Sequence, residues 1–278
     1  MTVLFFTIIV FISATTAGLI GSLTGLGGGV ILIPLLTLVF KVDIHYAIGT
    51  SLISVIATSS GAAAAYVKEG ITNIRLGMFL ELATTVGAIA GAFLAGYLST
   101  SFIAIVFGFI LVLSAISSFI QQEEKINTKP VDRLSEKLKL NSNFATENGN
   151  QQYNVKNVTG GFLMMNVAGI ISGLLGIGSG ALKVIAMDKI MQIPFKVSTT
   201  TSNFMIGVTA AASAGVYLKR GYIDPGLSMP VVLGVLLGAY IGTKILFAAN
   251  TKTLKLLFAI VILILAAEMI YNGLTHQL

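Results

Sequence analysis

The sequence predicts an all-α polytopic membrane protein built from two homologous halves, and three observations support that prediction. Hydrophobic residues occupy 55% of the 278 positions, charged residues only 10%, and the mean hydropathy is +0.91. Soluble domains are about half apolar but about a quarter charged. The apolar residues fall into long runs, and the second half of the chain repeats the pattern of the first.

Eight apolar runs approach the roughly 20 residues that a helix needs to cross a bilayer. They lie at about 3–23, 46–67, 76–97, 101–120, 157–175, 197–218, 227–249 and 253–273. Two shorter apolar runs, at about 28–40 and 181–192, each follow a glycine cluster. No basic segment precedes the first run, so we expect a retained first helix rather than a cleaved signal peptide.

An internal duplication relates the two halves. A shift of 151 residues aligns residues 17–115 with 168–266 without a gap, and 23 of the 99 pairs are identical. Internal repeats of this kind are common in secondary transporters. We therefore divide the chain into a first membrane repeat (1–120), a polar cytoplasmic linker (121–156) and a second membrane repeat (157–278).

The linker contains five acidic residues and six lysines or arginines and ends in the polar stretch "NSNFATENGNQQYNV". We interpret it as a solvent-exposed connection. Helical spacing at Val131–Leu140 favours a short amphipathic helix on the membrane surface, and a disordered connection is equally compatible with the composition.

The basic residues indicate how the halves are oriented. If the linker is cytoplasmic and each half crosses the membrane an odd number of times, twelve lysines and arginines lie inside and three outside. If the two halves are parallel, ten lysines and arginines lie inside and five outside. Positive residues concentrate on the cytoplasmic side of membrane proteins. We therefore predict inverted repeats with both termini outside.

The glycine clusters "GLGGG" at Gly25–Gly29 and "GIGSG" at Gly176–Gly180 are equivalent under the repeat. Each glycine disfavours helix by about 1 kcal/mol relative to alanine, so we predict a broken or re-entrant segment in each half. Exposed backbone amides at such a break attract anions. Tight packing of the glycines is the alternative, and it is the favoured interpretation for the separate Gly-x-x-x-Gly pairs at Gly87 and Gly238.

Hydroxyl and amide side chains follow each cluster, at Thr50-Ser51 and within "STTTSN" at Ser198–Asn203. They either satisfy local backbone groups or donate to an oxyanion. Among the ionisable residues in the apolar runs, Lys183 and Lys244 lie deepest, and Lys183 is the best candidate for a charged contact. Glu81, Asp188 and Glu268 lie near predicted ends, where interfacial pairing is expected.

The stretch "GLGGGVILIPLL" at Gly25–Leu36, "AIGTSL" at Ala47–Leu52 and their degenerate copies "GIGSGALKV" and "STTTSNF" together resemble the sulfite exporter TauE/SafE family of membrane permeases. The resemblance implies a transporter of small anions, often sulfur-containing ones such as sulfite or sulfoacetate, in the cytoplasmic (inner) membrane of the cell. The second half departs from the first where Ser179 and Lys183 replace Gly28 and Leu32.

The predicted function is therefore secondary transport of a small anion by rocking of the two halves about a midplane site, with a proton or sodium ion as the coupling ion and a passive anion channel as the alternative. The lipid bilayer and the anion are the expected partners, without nucleic acid. With no cysteine, two distant histidines and no nucleophile–base pair, we expect no enzyme, metal or cofactor. The expected substrate-binding residues are Gly27, Gly28, Gly29, Thr50, Ser51, Gly178, Ser179, Gly180, Lys183, Thr201, Ser202, Asn203 and Lys244.

Overall fold

The computed structural model describes residues 3–24, 28–68, 71–119, 132–146, 149–246 and 251–276, some of them by backbone alone. The helices of the first half are α1 (Val3–Thr24), α2 (Gly29–Pro34), α3 (Ile44–Lys68), α4 (Ile74–Ala95) and α5 (Thr100–Phe119). The linker contributes α6 (Arg133–Lys137), β1 (Ser142–Thr146) and β2 (Gly149–Tyr153). The second half contains α7 (Val158–Leu175), α8 (Gly180–Ile185), α9 (Phe195–Lys219), α10 (Pro225–Leu246) and α11 (Thr251–Leu274).

Each of the eight long apolar runs corresponds to one helix, with ends that agree within three residues. Four of the described helices, α1, α4, α7 and α10, are both long enough and apolar enough to cross a membrane. Large apolar side chains lie exposed on their outer faces, among them Met78, Leu82 and Val86 on α4. Because water would not favour such a surface, the exposed faces fit contact with lipid.

The main helix contacts join one half to the other. Helix α1 packs along α10 and α4 along α7, and these two pairs are equivalent under the 151-residue shift. A Cβ added at Gly87 would meet the carbonyl of Asn166, and one added at Gly238 would meet that of Thr15, the repeat equivalent of Asn166. The predicted packing role of these glycines is therefore observed.

Helix α7 is interrupted at the second glycine cluster. It ends at Leu175, and the next residues include Gly176, Gly178 and Ser179 with φ angles of +67°, +70° and +46° before α8 begins. Glycine adopts this left-handed conformation at little cost, which explains two of the three positions. In the first half, α1 ends at Thr24 and α2 begins at Gly29; Gly25 and Gly27 lie outside the described residues.

Helices α2 and α8 are short and continue directly as π-helices, α2 through Leu35–Val39 and α8 through Ala186–Ile190. Each combined segment therefore has 11 residues. At 1.5 Å per residue this length covers about 16 Å, roughly half of the hydrocarbon core. Neither segment crosses a bilayer alone.

The linker contains structure that the sequence analysis did not predict. Strands β1 and β2 pair antiparallel, with Ser142 opposite Tyr153 and Thr146 opposite Gly149. Phe144 and Tyr153 are buried in one apolar cluster with residues of α4 and α7, including Leu76 and Met165. The hairpin is thus folded against the helices rather than surrounded by solvent.

Candidate substrate site

The two glycine clusters meet where α3 packs on α9. The Ser51 hydroxyl on α3 donates a 2.9 Å hydrogen bond to the carbonyl oxygen of Gly176. A Cβ added at Gly29 would lie 3.5 Å from the same oxygen. On the other side, the Ser202 hydroxyl of α9 donates to the Gly180 carbonyl at 3.1 Å. Residues from both repeats therefore form one polar region between the halves.

A small cavity of about 10 Å³, the space of roughly one water molecule, lies next to this region. Its walls are apolar residues of α2, α5 and α8 with two hydroxyl side chains, from Ser114 and Ser179. The Ser179 side chain is buried, and its hydroxyl has no hydrogen-bond partner among the residues that the structure describes. A buried unpaired hydroxyl is unfavourable by about 1–3 kcal/mol, so this position favours a ligand that supplies the missing bond.

The structure does not bring all of the predicted residues to the cavity. The Thr50 hydroxyl lies 3.3 Å from that of Ser228 on α10. Thr201 accepts a 3.1 Å hydrogen bond from the backbone amide of Asn73, at the start of α4. These two threonines, which are repeat equivalents, join α3 to α10 and α9 to α4. Asn203 is partly buried on α9.

Three further residues predicted for the site are Gly27, Gly28 and Lys244. A Cβ on Gly28 would lie 3.0 Å from Val235 Cγ1, so Gly28 faces α10. Gly27 is outside the described residues, as is the side chain of Lys244 on α10.

The predicted charged contact, Lys183, is fully buried and bonded within the protein. Its Nζ donates to Thr209 Oγ1 at 2.5 Å, and Thr209 Oγ1 donates to Glu81 Oε1 at 2.7 Å. Thr85 donates to the same carboxylate oxygen at 3.1 Å. Helices α8, α9 and α4 each supply one residue of this hydrogen-bonded series, Lys183, Thr209 and Glu81, which we call the Lys183–Glu81 network.

The expectation of interfacial pairing was wrong for Glu81, because this side chain is only 7% exposed and bonds inside the helix bundle. Thr209 and Ser114 were not predicted either, since hydroxyls within apolar runs give no distinguishing pattern. Asp188 does pair near a segment end, with Lys189 at 3.1 Å, and Glu268 is exposed on α11.

Asn73 connects the linker hairpin to this interior. Its Oδ1 accepts from the Leu76 amide at 3.0 Å and caps α4, and its Nδ2 donates to the Tyr153 hydroxyl at 2.8 Å and to the Leu140 carbonyl at 2.9 Å. Burial raises the pKa of Tyr153 from 10.0 to about 12. The Asn73 backbone amide bonds Thr201, so one residue links the hairpin to α4 and α9.

Duplicated apolar halves that enclose buried charges and interrupted helices at their interface are typical of membrane transporters. Comparison with known proteins agrees with this class: residues 10–269 match the sequence model of the family described as sulfite exporter TauE/SafE. The chain belongs to this family of membrane transporters.

Curated relatives cover almost the same length. The chain is 27% identical over 273 residues to the probable membrane transporter protein YunE of Bacillus subtilis, covering 96% of this chain and 98% of the relative. It is 29% identical to the probable membrane transporter protein YdhB of Bacillus subtilis over 82% of this chain and 85% of the relative. A probable membrane transporter protein, ORF9 of a Sinorhizobium species, is 25% identical over 96% and 93% of the two chains. No solved structure matches the chain.

Proposed function

We propose that this protein is a secondary transporter of the cytoplasmic membrane that carries a small anion, a sulfur-containing oxyanion or sulfonate such as sulfite or sulfoacetate. The supporting observation is the meeting of the two glycine clusters beside Ser51 and Ser202, with the buried Ser179 among the residues that line the adjoining cavity. Inverted repeats would bring the two helix starts to this midplane region from opposite sides.

The substrate is held by backbone amides and hydroxyls in this proposal. The first four backbone amides of a helix have no intrahelical acceptor, and the helix dipole favours negative charge there. Gly29, Gly178 and Gly180 keep side chains out of this space, and Ser51, Ser179 and Ser202 supply hydroxyls; Gly28 belongs to the first cluster but faces α10. Lys183, one turn after Gly180, adds the positive charge, and Lys244 is a second basic candidate on α10.

The remaining predicted residues have supporting roles in the proposal. Gly27 belongs to the first cluster, and Thr50, Thr201 and Asn203 lie on the two helices that flank the site. Through their contacts with Ser228 and Asn73, the threonines fix α3 and α9 relative to α10 and α4. They therefore hold in place the two helices that carry Ser51 and Ser202.

The cavity holds about one water in this conformation, which is less than a sulfite ion needs, so the structure corresponds to a closed state of the proposed cycle. Helices α1, α2, α3 and α10 pack as one group and α4, α7, α8 and α9 as another, with α3 on α9 between them. We propose that these mixed groups, rather than the sequence halves, rock against each other and open the site alternately to each side.

Ligand screening followed by transport tests this proposal. Purified full-length protein in detergent is mixed with sulfite, sulfate, thiosulfate, sulfoacetate, taurine and carboxylates, and a rise in melting temperature identifies the bound anion. Proteoliposomes then measure counterflow of that anion. Counterflow supports the transporter, whereas large ohmic currents without counterflow would indicate a passive channel.

Two matched variants test the position of the site. Ser179→Ala removes the cavity hydroxyl, and a hydrogen bond to a charged group contributes about 1.5–3 kcal/mol, so we expect at least roughly tenfold weaker anion binding. Ser172→Ala on α7 removes another buried hydroxyl that has no partner in the described structure and does not line the cavity. Equal affinity in both variants would place the anion elsewhere.

A further inference from the structure

The Lys183–Glu81 network places two opposite charges in the interior of the helix bundle. Lys183 is fully buried, Thr209 is fully buried and Glu81 is 7% exposed. Removing such charges from water is strongly unfavourable unless each has a partner. The Thr209 hydroxyl accepts a hydrogen bond from the Lys183 ammonium and donates one to the Glu81 carboxylate. A single hydroxyl therefore connects the two charged groups.

The internal repeat provides an independent comparison for these charges. The position equivalent to Thr209 is Thr58, which retains the hydroxyl. The positions equivalent to Lys183 and Glu81 are Leu32 and Val232, so both charges are absent together from the repeat-equivalent site, to which each half again contributes. The repeat-equivalent site is therefore built without this pair. Its presence on one side only is better explained by a function than by a packing requirement.

Few other ionisable groups lie on the helices that pack around Glu81. Helix α7, which packs along α4, has none, and the only other ionisable residue of α4 is Arg75, which bonds the Lys139 carbonyl. On α9, Lys196, Tyr217 and Lys219 are all at least eight residues from Thr209. Beyond α8, Asp188 pairs with Lys189. Within the described part of the chain, Lys183 is thus the main countercharge of Glu81.

The network has unused hydrogen-bonding capacity that an anion could exploit. A lysine ammonium has three donors, and Thr209 is the partner that the structure gives it. Glu81 Oε2 is buried without a partner among the described residues. Lys183 lies three positions after Gly180, which lines the cavity. An anion bound at the proposed site would compete with Thr209 and Glu81 for the ammonium.

We propose that Glu81 takes up one proton from water when an anion binds beside Lys183, so that the anion and the proton cross the membrane together. The proposal rests on the anion site described above. Once Lys183 turns to the anion, the Glu81 carboxylate loses its countercharge, and a proton on Oε2 neutralises it. A metal cation at this position would share Thr209 with the ammonium and be repelled by it, which favours the proton over sodium.

Proton uptake on binding tests the proposal directly. Thiosulfate and sulfoacetate are fully ionised near neutral pH, so they release or take up no proton themselves. Full-length protein in detergent and weak buffer receives whichever of these anions binds, and a pH indicator records the change. We expect uptake of about one proton per bound anion and an affinity that weakens with rising pH, by up to tenfold per pH unit.

Variants assign the proton to a residue. Glu81→Gln resembles the protonated carboxyl, so the anion should bind without proton uptake and with little dependence on pH. Glu268→Gln alters an exposed carboxylate on α11 and should behave as the wild type. Size-exclusion chromatography checks that both variants remain folded, and the wild-type measurement alone still decides the proposal if Glu81→Gln does not fold.

The outcomes separate the two proposals. Anion binding without proton uptake, or binding that requires sodium instead, overturns proton coupling and leaves anion transport standing. Unchanged pH dependence in Glu81→Gln assigns the proton to another group and also overturns the inference. Failure of every tested anion to bind the wild type overturns both the site and its coupling.

Discussion

Gly178 combines a left-handed backbone with a crowded neighbourhood. Its φ angle is +70°, and an added Cβ would lie 2.8 Å from Ile206 Cγ2 on α9 and 3.3 Å from Val55 Cγ1 on α3. A side chain here therefore meets both conformational strain and steric overlap. Ile206 and Val55 are repeat equivalents, so the two helices close on this residue from corresponding positions.

Gly178→Ala should destabilise the protein by roughly 2–3 kcal/mol, since backbone strain and overpacking each contribute about 1 kcal/mol or more. Thermal unfolding in detergent measures the effect. Gly221→Ala is the matched control, because Gly221 has a φ of +76° with open space around its Cβ position. Equal losses in the two variants would show that the contacts with Ile206 and Val55 add nothing.

Tyr153 should make stability depend on pH in the alkaline range. Its pKa rises from 10.0 to about 12 because burial disfavours the phenolate. The folded protein then holds this proton more tightly than the unfolded chain, so stability is retained below pH 10 and falls as the pH rises from about 10 to 12. Tyr153→Phe should reduce this pH-dependent loss of stability. At pH 8 the variant should have a free energy of unfolding lower by about 1 kcal/mol, because the hydrogen bond from Asn73 is removed. Melting curves from pH 8 to 11 would contradict this if both proteins lost stability in parallel.

The long helices could be predicted from composition because few backbone conformations are stable in a bilayer. Backbone amides must bond within the segment in a hydrocarbon solvent, so an apolar run of about 20 residues is almost always a helix. The glycine clusters also predicted where α7 ends and α8 begins. Ser51, Ser202 and the glycines were selected as site candidates by their equivalence under the repeat, and the structure places them in one polar region.

The hairpin and the Lys183–Glu81 network escaped prediction for a different physical reason. Strand β1 reads "SNFAT" and β2 reads "GNQQY", without the alternation of apolar and polar residues that marks a half-buried strand. Phe144 and Tyr153 become buried only because the hairpin packs on the helices. Likewise, Glu81 and Lys183 are 102 residues apart, and only the pairing of helices across the halves brings them together.

Docking of the hairpin should depend on Phe144, which is 2% exposed and packs edge-on against Tyr153 with ring centroids 6.0 Å apart. Replacing a buried phenylalanine with alanine lowers the free energy of unfolding by about 3–5 kcal/mol. Phe144→Ala should therefore speed amide hydrogen exchange of the hairpin by roughly a hundredfold or more. Asn143→Ala changes an exposed side chain on the same strand and serves as the control. Similar exchange in both variants would mean that the hairpin is held without Phe144.

At the scale of the whole molecule, the basic residues predict a cytoplasmic linker and external termini. A reporter that is active only in the cytoplasm should therefore be active when inserted after residue 125 in the linker and inactive when fused to the C-terminus. Selective labelling of single cysteines in intact cells provides a second readout, because the natural chain has no cysteine. A C-terminus inside the cell would contradict the inverted arrangement.

The exchange of helices between the repeats bears on how such a protein arose. Helix α1 finds its main partner in α10, and α4 finds its partner in α7, so neither half buries its own principal helices. A gene encoding one half would have yielded a chain that folds stably only with a second copy of itself. Duplication and fusion of such a gene would place both copies in one polypeptide, where each could diverge and one copy of the site could acquire a lysine and a glutamate.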